Sequence, residues 1–422
     1  MGVFHVCRTN KEGEVSNMRK KSWVPVWAII IASIFIATQY GKVPPSQPSM
    51  IECLGISYTM QGLLMTAFSA AAVVMALVGG TLIDRFGARK VVSAALAVSI
   101  VGNILGILVT SDAGLLVSRV LEGTGYGVTM TAGPVIISAW HEPAKRGLAS
   151  GVWGANVGVG MLICTGAANP ILAATDWTGM WIFSLVATSL ALALTTICVT
   201  MPERGDRKDL DELALAESGN EHSALWGYKA PLAIITALMF FLVGGATDAF
   251  NSFTVTYLNV ELGNDYGMAN AAAMIASVGM LVGAVIVGMI FAKVEDKGLV
   301  LIINIALAAI VLFAWFNLDA SAPATYAVAF VTGCVLGAAP TVFFAIPPYA
   351  ARSASSVGAA AALIVLGQNM GTLTIPTVVG MVLDSSGYHT AAMVMGGLAC
   401  VALVISIFVR PKINARQEEL ED

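Results

Sequence analysis

Three charged side chains stand inside long apolar stretches of the chain: Arg119 and Glu122, three positions apart, and Asp248. A charge in hydrocarbon costs several kcal/mol unless it meets water or an opposite charge, and such residues mark solute paths, ion paths or proton relays. Arg119 offers a planar fork of donors that matches a carboxylate. Glu122 lies on the same helical face and can neutralise it locally; Asp248 is the second available counter-charge. Either acid becomes a candidate proton carrier, because an arginine beside a carboxylate favours the ionised form, and a substrate that takes the arginine away releases the acid to load a proton. Gln39, Tyr40, Tyr126, Asn251, Gln368 and Asn369 are further polar side chains in or beside such stretches, and with Arg119 they are the candidate substrate ligands. Tyr40 and Lys42 also fit interfacial anchors. Asn156, Gln368 and Asn369 also fit helix-to-helix hydrogen bonds worth about 1 kcal/mol or less.

The elements that carry these residues are membrane spans. Of 422 residues, 57% are apolar and 11% charged, with a mean hydropathy of +0.81; soluble domains carry about 25% charged residues. A span of roughly 30 Å needs about 20 apolar residues as a helix, and its backbone groups must be paired internally. The runs here are too long for barrel strands. Twelve are predicted, at roughly 24 to 41, 61 to 83, 91 to 110, 114 to 138, 149 to 173, 179 to 201, 231 to 258, 267 to 292, 299 to 317, 324 to 348, 355 to 383 and 388 to 410. At 1.5 Å per residue, Arg119 lies roughly 8 Å past Gly114, and Asp248 roughly 26 Å past Pro231.

Basic residues orient the spans. Of the 22 Lys and Arg, all but Lys42 and Arg119 fall on one side when both termini are cytoplasmic, including the leader residues Arg8, Lys11, Arg19, Lys20 and Lys21. The opposite loops carry mainly acids, among them Glu52, Asp112, Asp176 and Asp265, and Pro44, Pro45 and Pro48 stiffen the outer loop after the first run. The leader has no small-residue cleavage site behind a short apolar core, so the first run reads as a retained span. The six cysteines and four histidines show no metal or disulfide spacing. No cofactor is expected, and nothing indicates nucleic acid.

A weak repeat divides the chain. Thr38-Gln39 precedes Gly80 much as Thr247-Asp248 precedes Gly288, and a polar segment lies between the halves. The predicted organisation is a cytoplasmic leader at 1–22, a six-helix bundle at 23–201, a linker at 202–228, a second bundle at 229–410 and a tail at 411–422. Between the second and third runs stands Gly80-Thr-Leu-Ile-Asp84-Arg85-Phe-Gly87-Ala-Arg89-Lys90, which reads G-x-L-x-D-R-x-G-x-R-K; it returns in weakened form at Gly288 to Gly298, with Ala292 in place of the aspartate. The fourth run carries Arg119-Val-Leu-Glu122-Gly123-Thr-Gly125-Tyr126-Gly127. No strand precedes these glycines, so they read as close-packing surfaces rather than a phosphate loop.

These two motifs resemble those of the major facilitator superfamily. The resemblance implies an all-α integral membrane protein of twelve transmembrane helices in two pseudo-symmetric six-helix bundles, working by alternating access as a self-contained monomer. It implies that runs 1, 4, 7 and 10 line a central cavity, so that Arg119, Glu122, Tyr126, Gln39, Tyr40, Asp248 and Asn251 share one chamber. It also implies a conformational latch of Gly80, Asp84, Arg85, Gly87, Arg89, Lys90 and Arg146, in which Asp84 binds the amino end of the eleventh run near Ser353, Ser355 and Ser356. Lys145 could complete it.

The expected function is secondary active transport of a small organic solute, an organic anion or similar metabolite, across the cell (inner) membrane, with a proton or an exchanged solute as the coupling partner. No G-x-x-x-x-G-K-[ST] occurs to bind ATP, and no G-x-S-x-G or H-E-x-x-H suggests an enzyme. Multidrug/proton antiport is the alternative. The glycine-proline motif common in drug antiporters is not found in the fifth run, where Gly154-Ala-Asn156-Val-Gly158-Val-Gly160 is not followed by proline until Pro170.

Overall fold

The computed structural model describes residues 23–140, 149, 152–153, 156–201, 231–317, 322–350 and 357–421. Its elements are α1 (Trp23–Gly41), α2 (Val43–Leu54), α3 (Tyr58–Phe86), α4 (Ala88–Leu108), α5 (Asp112–Trp140), α6 (Asn156–Ala174), α7 (Thr178–Cys198), α8 (Pro231–Thr256), α9 (Tyr266–Lys293), α10 (Lys297–Trp315), α11 (Ala322–Ala345), α12 (Pro347–Ala350) and α13 (Val357–Glu421). Among the described residues there is no strand. Ten described segments are long and apolar enough to cross a bilayer. The protein is an all-helical, multi-pass membrane protein. Asp112–Trp140, which carries Arg119 and Glu122, is a further helix of 29 residues, and α13, at 65 residues, bends at Gly387. The leader 1–22, the linker 202–228, Lys145, Arg146 and Ser353 to Ser356 lie outside the described residues.

Local chemistry sets the helix ends. Ser57, Asp265 and Asp296 accept from the amides of Met60, Met268 and Leu299, the N-cap contact that satisfies an otherwise orphaned donor. Gly87 and Gly387 hold positive φ, 85° and 75°, where a side chain would clash with the following carbonyl. The apolar clusters separate by chain half: two are built from residues between Val26 and Val199, and the largest runs from Ala233 to Ile413.

Without a hydrophobic force between helices in lipid, close backbone approach drives association. Gly279 and Gly283 of α9 press against the Phe330 and Cys334 carbonyls of α11, while Gly333 and Gly337 of α11 press against Ala276 and Met280 of α9. In the first half, Gly123 and Gly127 of α5 meet the Phe68 and Ala72 carbonyls of α3, and Gly125 meets Ser99 of α4. The three glycines of the Arg119 to Gly127 motif are therefore packing surfaces. A Cβ at position 283 would overlap the Cys334 carbonyl, so Gly283→Ala is expected to lower stability by about 1–3 kcal/mol, the usual cost of overpacking. Thermal unfolding in detergent checks this; an unchanged midpoint would mean the α9–α11 seam has slack.

One element departs from expectation. The first apolar run does not end in a proline-stiffened loop: α1 passes through Lys42 into α2, and Val43 to Pro48 are buried. Proline is compatible with the first turn of a helix, where its missing amide has no partner to lose, and α2 starts Val43-Pro44-Pro45.

α1 begins at the end termed proximal, which also holds the α3–α4 turn at Gly87 and the α9–α10 turn; the opposite, distal end holds Ser57, Asp176, Asp265 and Gly387. In the α9–α10 turn Asp296 caps α10 and accepts from Arg410 Nε at 2.9 Å, and Lys297 Nζ donates to the Phe291 and Val294 carbonyls that end α9. Partial desolvation raises the Asp296 pKa, but hydrogen bonds from Arg410, Asn414 and the Leu299 amide outweigh it, and the carboxyl is held below its ordinary range. A depressed pKa contributes stability above the unfolded value, near 4, which is lost as pH falls through the folded one. Asp296→Asn is therefore expected to cost under about 1 kcal/mol at neutral pH, because the pair is partly exposed. The difference should close on acidification. Unfolding midpoints of both proteins across pH test this, and a gap that widens in acid contradicts it.

Candidate functional site

A cavity of about 500 Å³ lies between the halves. Tyr40, Phe68, Tyr126 and Met161 line it from one side, and Asp248, Phe344, Gln368, Asn369 and Thr372 from the other. Asp248 is the one carboxylate among its described lining residues, and these include no Lys or Arg. Asp248 accepts from Tyr40 Oη at 3.1 Å and from the Thr372 hydroxyl. Among the described residues no cation pairs with it.

The two remaining intramembrane charges sit elsewhere. Arg119 and Glu122 are fully buried in α5 and joined by a salt bridge, and they do not line the cavity. Lys42, between α1 and α2, is also fully buried. Its Nζ donates to Glu122 Oε1 at 2.7 Å, Asn103 Oδ1 at 2.9 Å and Gln39 Oε1 at 3.0 Å, and stands 4.3 Å from the centroid of a Trp181 ring. The interfacial-anchor expectation for Lys42 is thus overturned: the continuation of the chain into α2 carries it inward, to a carboxylate. Arg119 Nη1 donates to the Gln39 carbonyl at 2.8 Å and Nε to the Leu64 carbonyl at 3.3 Å, while Nη2 has no hydrogen-bond partner among the described residues. Gln39 Nε2 donates to Thr188 at 2.6 Å. With both cations charged, the cluster holds a net charge of about +1, two cations against one carboxylate.

Phe68 divides the two environments. The Arg119 guanidinium lies 4.3 Å from its ring centroid, Tyr126 packs on it at 5.2 Å and Tyr40 at 6.0 Å, and Phe68 and both tyrosines face the cavity. The expected single chamber is therefore split. Tyr40, Tyr126, Asp248, Gln368 and Asn369 come together, Gln39, Arg119 and Glu122 lie behind Phe68, and Asn251 lines a separate recess beside Pro44 and Thr165. Asn156 does make the expected interhelical bond, donating to Ser33 Oγ at 2.8 Å. The Gln368 and Asn369 side chains instead open onto the cavity, with no bond to another helix among the described residues. Thr372, Phe68 and Asn103 were not singled out by sequence; Thr372, one helical turn beyond Gln368, was readable as sharing its face.

Of the expected latch residues, those from Gly80 to Lys90 lie at the proximal end. Arg85, Arg89 and Lys90 are exposed, Gly80 is half-buried and Gly87 forms the turn. The Asp84 side chain and Arg146 fall outside the described residues.

The family model of the Major Facilitator Superfamily matches residues 29–361 and, in a second alignment, 236–422. The chain belongs to the Major Facilitator Superfamily. It is accordingly a transporter of that superfamily. Among its curated relatives are the hexuronate transporter of Bacillus subtilis, 22% identical over 87% of this chain and 90% of that one, and the probable sulfoacetate transporter SauU of Cupriavidus necator, 22% identical over 88% and 90%. The uncharacterized MFS-type transporter Rv1250 of Mycobacterium tuberculosis is 26% identical over 48% of this chain, which spans only 35% of that protein. The crystal structure of nucleoside transporter NupG superposes with a TM-score of 0.72 at 14% identity, covering 91% of this chain and 98% of that one, and shares the superfamily fold.

Proposed function

We propose that this superfamily member is a proton-coupled carrier of a small organic anion, working by alternating access with Asp248 as the proton site. The proximal end is cytoplasmic, both termini are inside, and the unit is a monomer in the cell membrane. The observation that carries the proposal is the position of Asp248, a carboxylate on the cavity wall that meets hydroxyls and, among the described residues, no cation, opposite a cluster of two basic side chains and one carboxylate screened by one phenyl ring.

The magnitudes decide how these fields combine. A solute against Phe68 would lie roughly 8 Å from the Arg119 guanidinium, since the ring centroid is 4.3 Å away and a van der Waals contact adds about 3.5–4 Å. At an effective dielectric constant of about 20, a unit excess charge at that distance attracts an anion by roughly 2 kcal/mol, while an ionised Asp248 at about 4 Å repels it by roughly 4 kcal/mol. The anion therefore enters with a proton on Asp248, and not otherwise. Gln368, Asn369, Thr372 and Tyr126 supply hydrogen-bonding groups for a hydroxylated or acidic solute. The hexuronate and sulfoacetate transporters, both aligned over most of their length, are named for solutes of this class.

The second possibility is multidrug/proton antiport, favoured by the same uncompensated carboxylate within an aromatic wall of Phe68, Tyr126 and Phe344. A thermal-shift screen of organic acids, sugars, amino acids and lipophilic cations at neutral and mildly acidic pH separates the two. Stabilisation by organic acids that strengthens in acid is expected. Stabilisation by lipophilic cations alone, weakening in acid, would replace the anion carrier with the antiporter.

A further inference from the structure

The two halves touch unevenly. Tyr40 meets Asp248 in the distal half of α8, and further hydrogen bonds between the halves lie distal to it, among them Thr66 Oγ1 to the Leu373 carbonyl at 2.6 Å, Gln47 with Thr256 at 2.8 Å, Tyr266 Oη to the Pro45 carbonyl at 2.7 Å and Asn270 Nδ2 to the Thr165 carbonyl at 2.7 Å. The cavity extends to the proximal side, along Ala76, Met130, Val157 and Phe344. The structure is thus closed at the distal end.

At the rim of that closed end, one side chain joins the halves through the backbone. Asp384 of α13 accepts from the Tyr58 amide at 2.9 Å, the Thr59 amide at 2.8 Å and the Thr59 hydroxyl. An α-helix begins with amides that lack intrahelical partners, and those of the first three residues of α3 are accounted for. The Ser57 side chain accepts from the Met60 amide at 3.1 Å. Asp384, from the opposite half, takes the other two. A carboxylate there is also favoured by the positive end of the helix dipole. Below it the backbones touch: a Cβ at Gly380 would come 2.5 Å from the Tyr58 carbonyl, and one at Gly62 would come 2.7 Å from the Pro376 carbonyl.

The sequence around Asp384 repeats a pattern seen elsewhere in the chain. Gly380-Met-Val-Leu-Asp384-Ser-Ser-Gly387 carries glycine, aspartate and glycine at the same spacing as Gly80-Thr-Leu-Ile-Asp84-Arg-Phe-Gly87, and both terminal glycines turn the chain with positive φ. The copies sit at opposite ends of the molecule, on α13 and on α3, the two helices that form this seam.

We propose that Asp384 is a gating residue of the transport cycle, a carboxylate that holds the outer end of α3 while the cavity faces the cytoplasm and lets go when it faces out. The proposal rests on alternating access and on the distal end being external, and is independent of what the solute is. Asp384 thereby sets the balance between inward- and outward-facing states.

The test is pulsed electron paramagnetic resonance on solute-free protein in nanodiscs, with native cysteines removed and spin labels at Asp112→Cys and Glu261→Cys, both exposed at the distal end and in different halves. Loss of a cap costs about 1 kcal/mol, a factor of about five in an equilibrium. Asp384→Ala is expected to raise the long-distance, outer-open population relative to the closed one about fivefold, and Asp384→Asn, which keeps one acceptor but no charge, by less. Gly380→Leu, whose side chain cannot fit the closed seam, defines the open distance. An unchanged distribution in Asp384→Ala overturns the assignment. Should that variant not be isolated, Asp384→Asn and Thr59→Val, which removes the hydroxyl donor, must shift the distribution in the same direction, and their failure to do so overturns it equally. Because no solute is present, an error in the proposed substrate leaves this outcome untouched.

Discussion

Glu122→Gln is expected to destabilise the protein by roughly 3–5 kcal/mol, the usual cost of removing one partner from a buried ion pair. The reason lies in the count of charges. Glu122 faces Lys42 and Arg119 at once, all three side chains are fully buried, and the amide leaves two cations with no anion. Lys42→Met acts differently. It leaves Arg119 paired with Glu122 and removes the excess charge, so its cost is about 1–3 kcal/mol, arising from Gln39 and Asn103 losing a donor in a buried site. The double variant should therefore be more stable than Glu122→Gln alone, since only one cation remains unpaired. Such coupling is the signature of residues in one network. Equilibrium unfolding in mixed micelles reads all three differences. If Glu122→Gln cost under about 1 kcal/mol, or the double variant were the least stable, the three charges would not form the buried unit described.

Asp248→Asn should uncouple the carrier from the proton. In the parent protein an ionised Asp248 opposes the anion, so affinity rises as pH falls, over the roughly 5- to 150-fold range typical of coupling between two sites. Asparagine keeps the size and a hydrogen-bonding oxygen for Tyr40 and Thr372 but carries no charge at any pH. Anion binding should then be nearly independent of pH and, at neutral pH, tighter than in the parent. Exchange of internal for external solute should persist, while concentrative uptake driven by a pH gradient is lost. Isothermal titration across pH, paired with uptake and exchange in proteoliposomes, separates these quantities. Retention of pH-dependent binding in Asp248→Asn would place the proton on another group. Loss of all binding would indicate a cationic solute that pairs with the carboxylate.

The helical membrane architecture was legible because it rests on quantities a sequence states directly: the length of apolar runs and the positions of motif residues. The intramembrane charges were equally visible, since Arg119, Glu122 and Asp248 interrupt those runs. Which side of a helix faces the cavity was not visible. Arg119 lies behind Phe68 rather than beside Asp248, and that depends on how α3 and α5 rotate against each other through Gly123 and Gly127, a tertiary property with no local signal. Lys42 was misplaced for a related reason. Its apolar run ends at Gly41 and prolines follow, which locally resembles a loop, whereas its partners Asn103 and Glu122 are 61 and 80 residues away. The pattern at Gly380 to Gly387 was readable but lay outside the positions where the pseudo-repeat predicts a second hairpin, at Gly288 to Gly298. There the corresponding capping falls to Asp296, four residues beyond Ala292.

The most direct test of proton-coupled anion transport through Asp248 is uptake of the organic acid identified by the thermal-shift screen, in proteoliposomes of the purified protein with an inward proton gradient and no other ion gradient. The expected result is accumulation above the external concentration that collapses on addition of a protonophore and is absent in Asp248→Asn. Accumulation that ignores the pH gradient, or that survives in Asp248→Asn, would contradict the account.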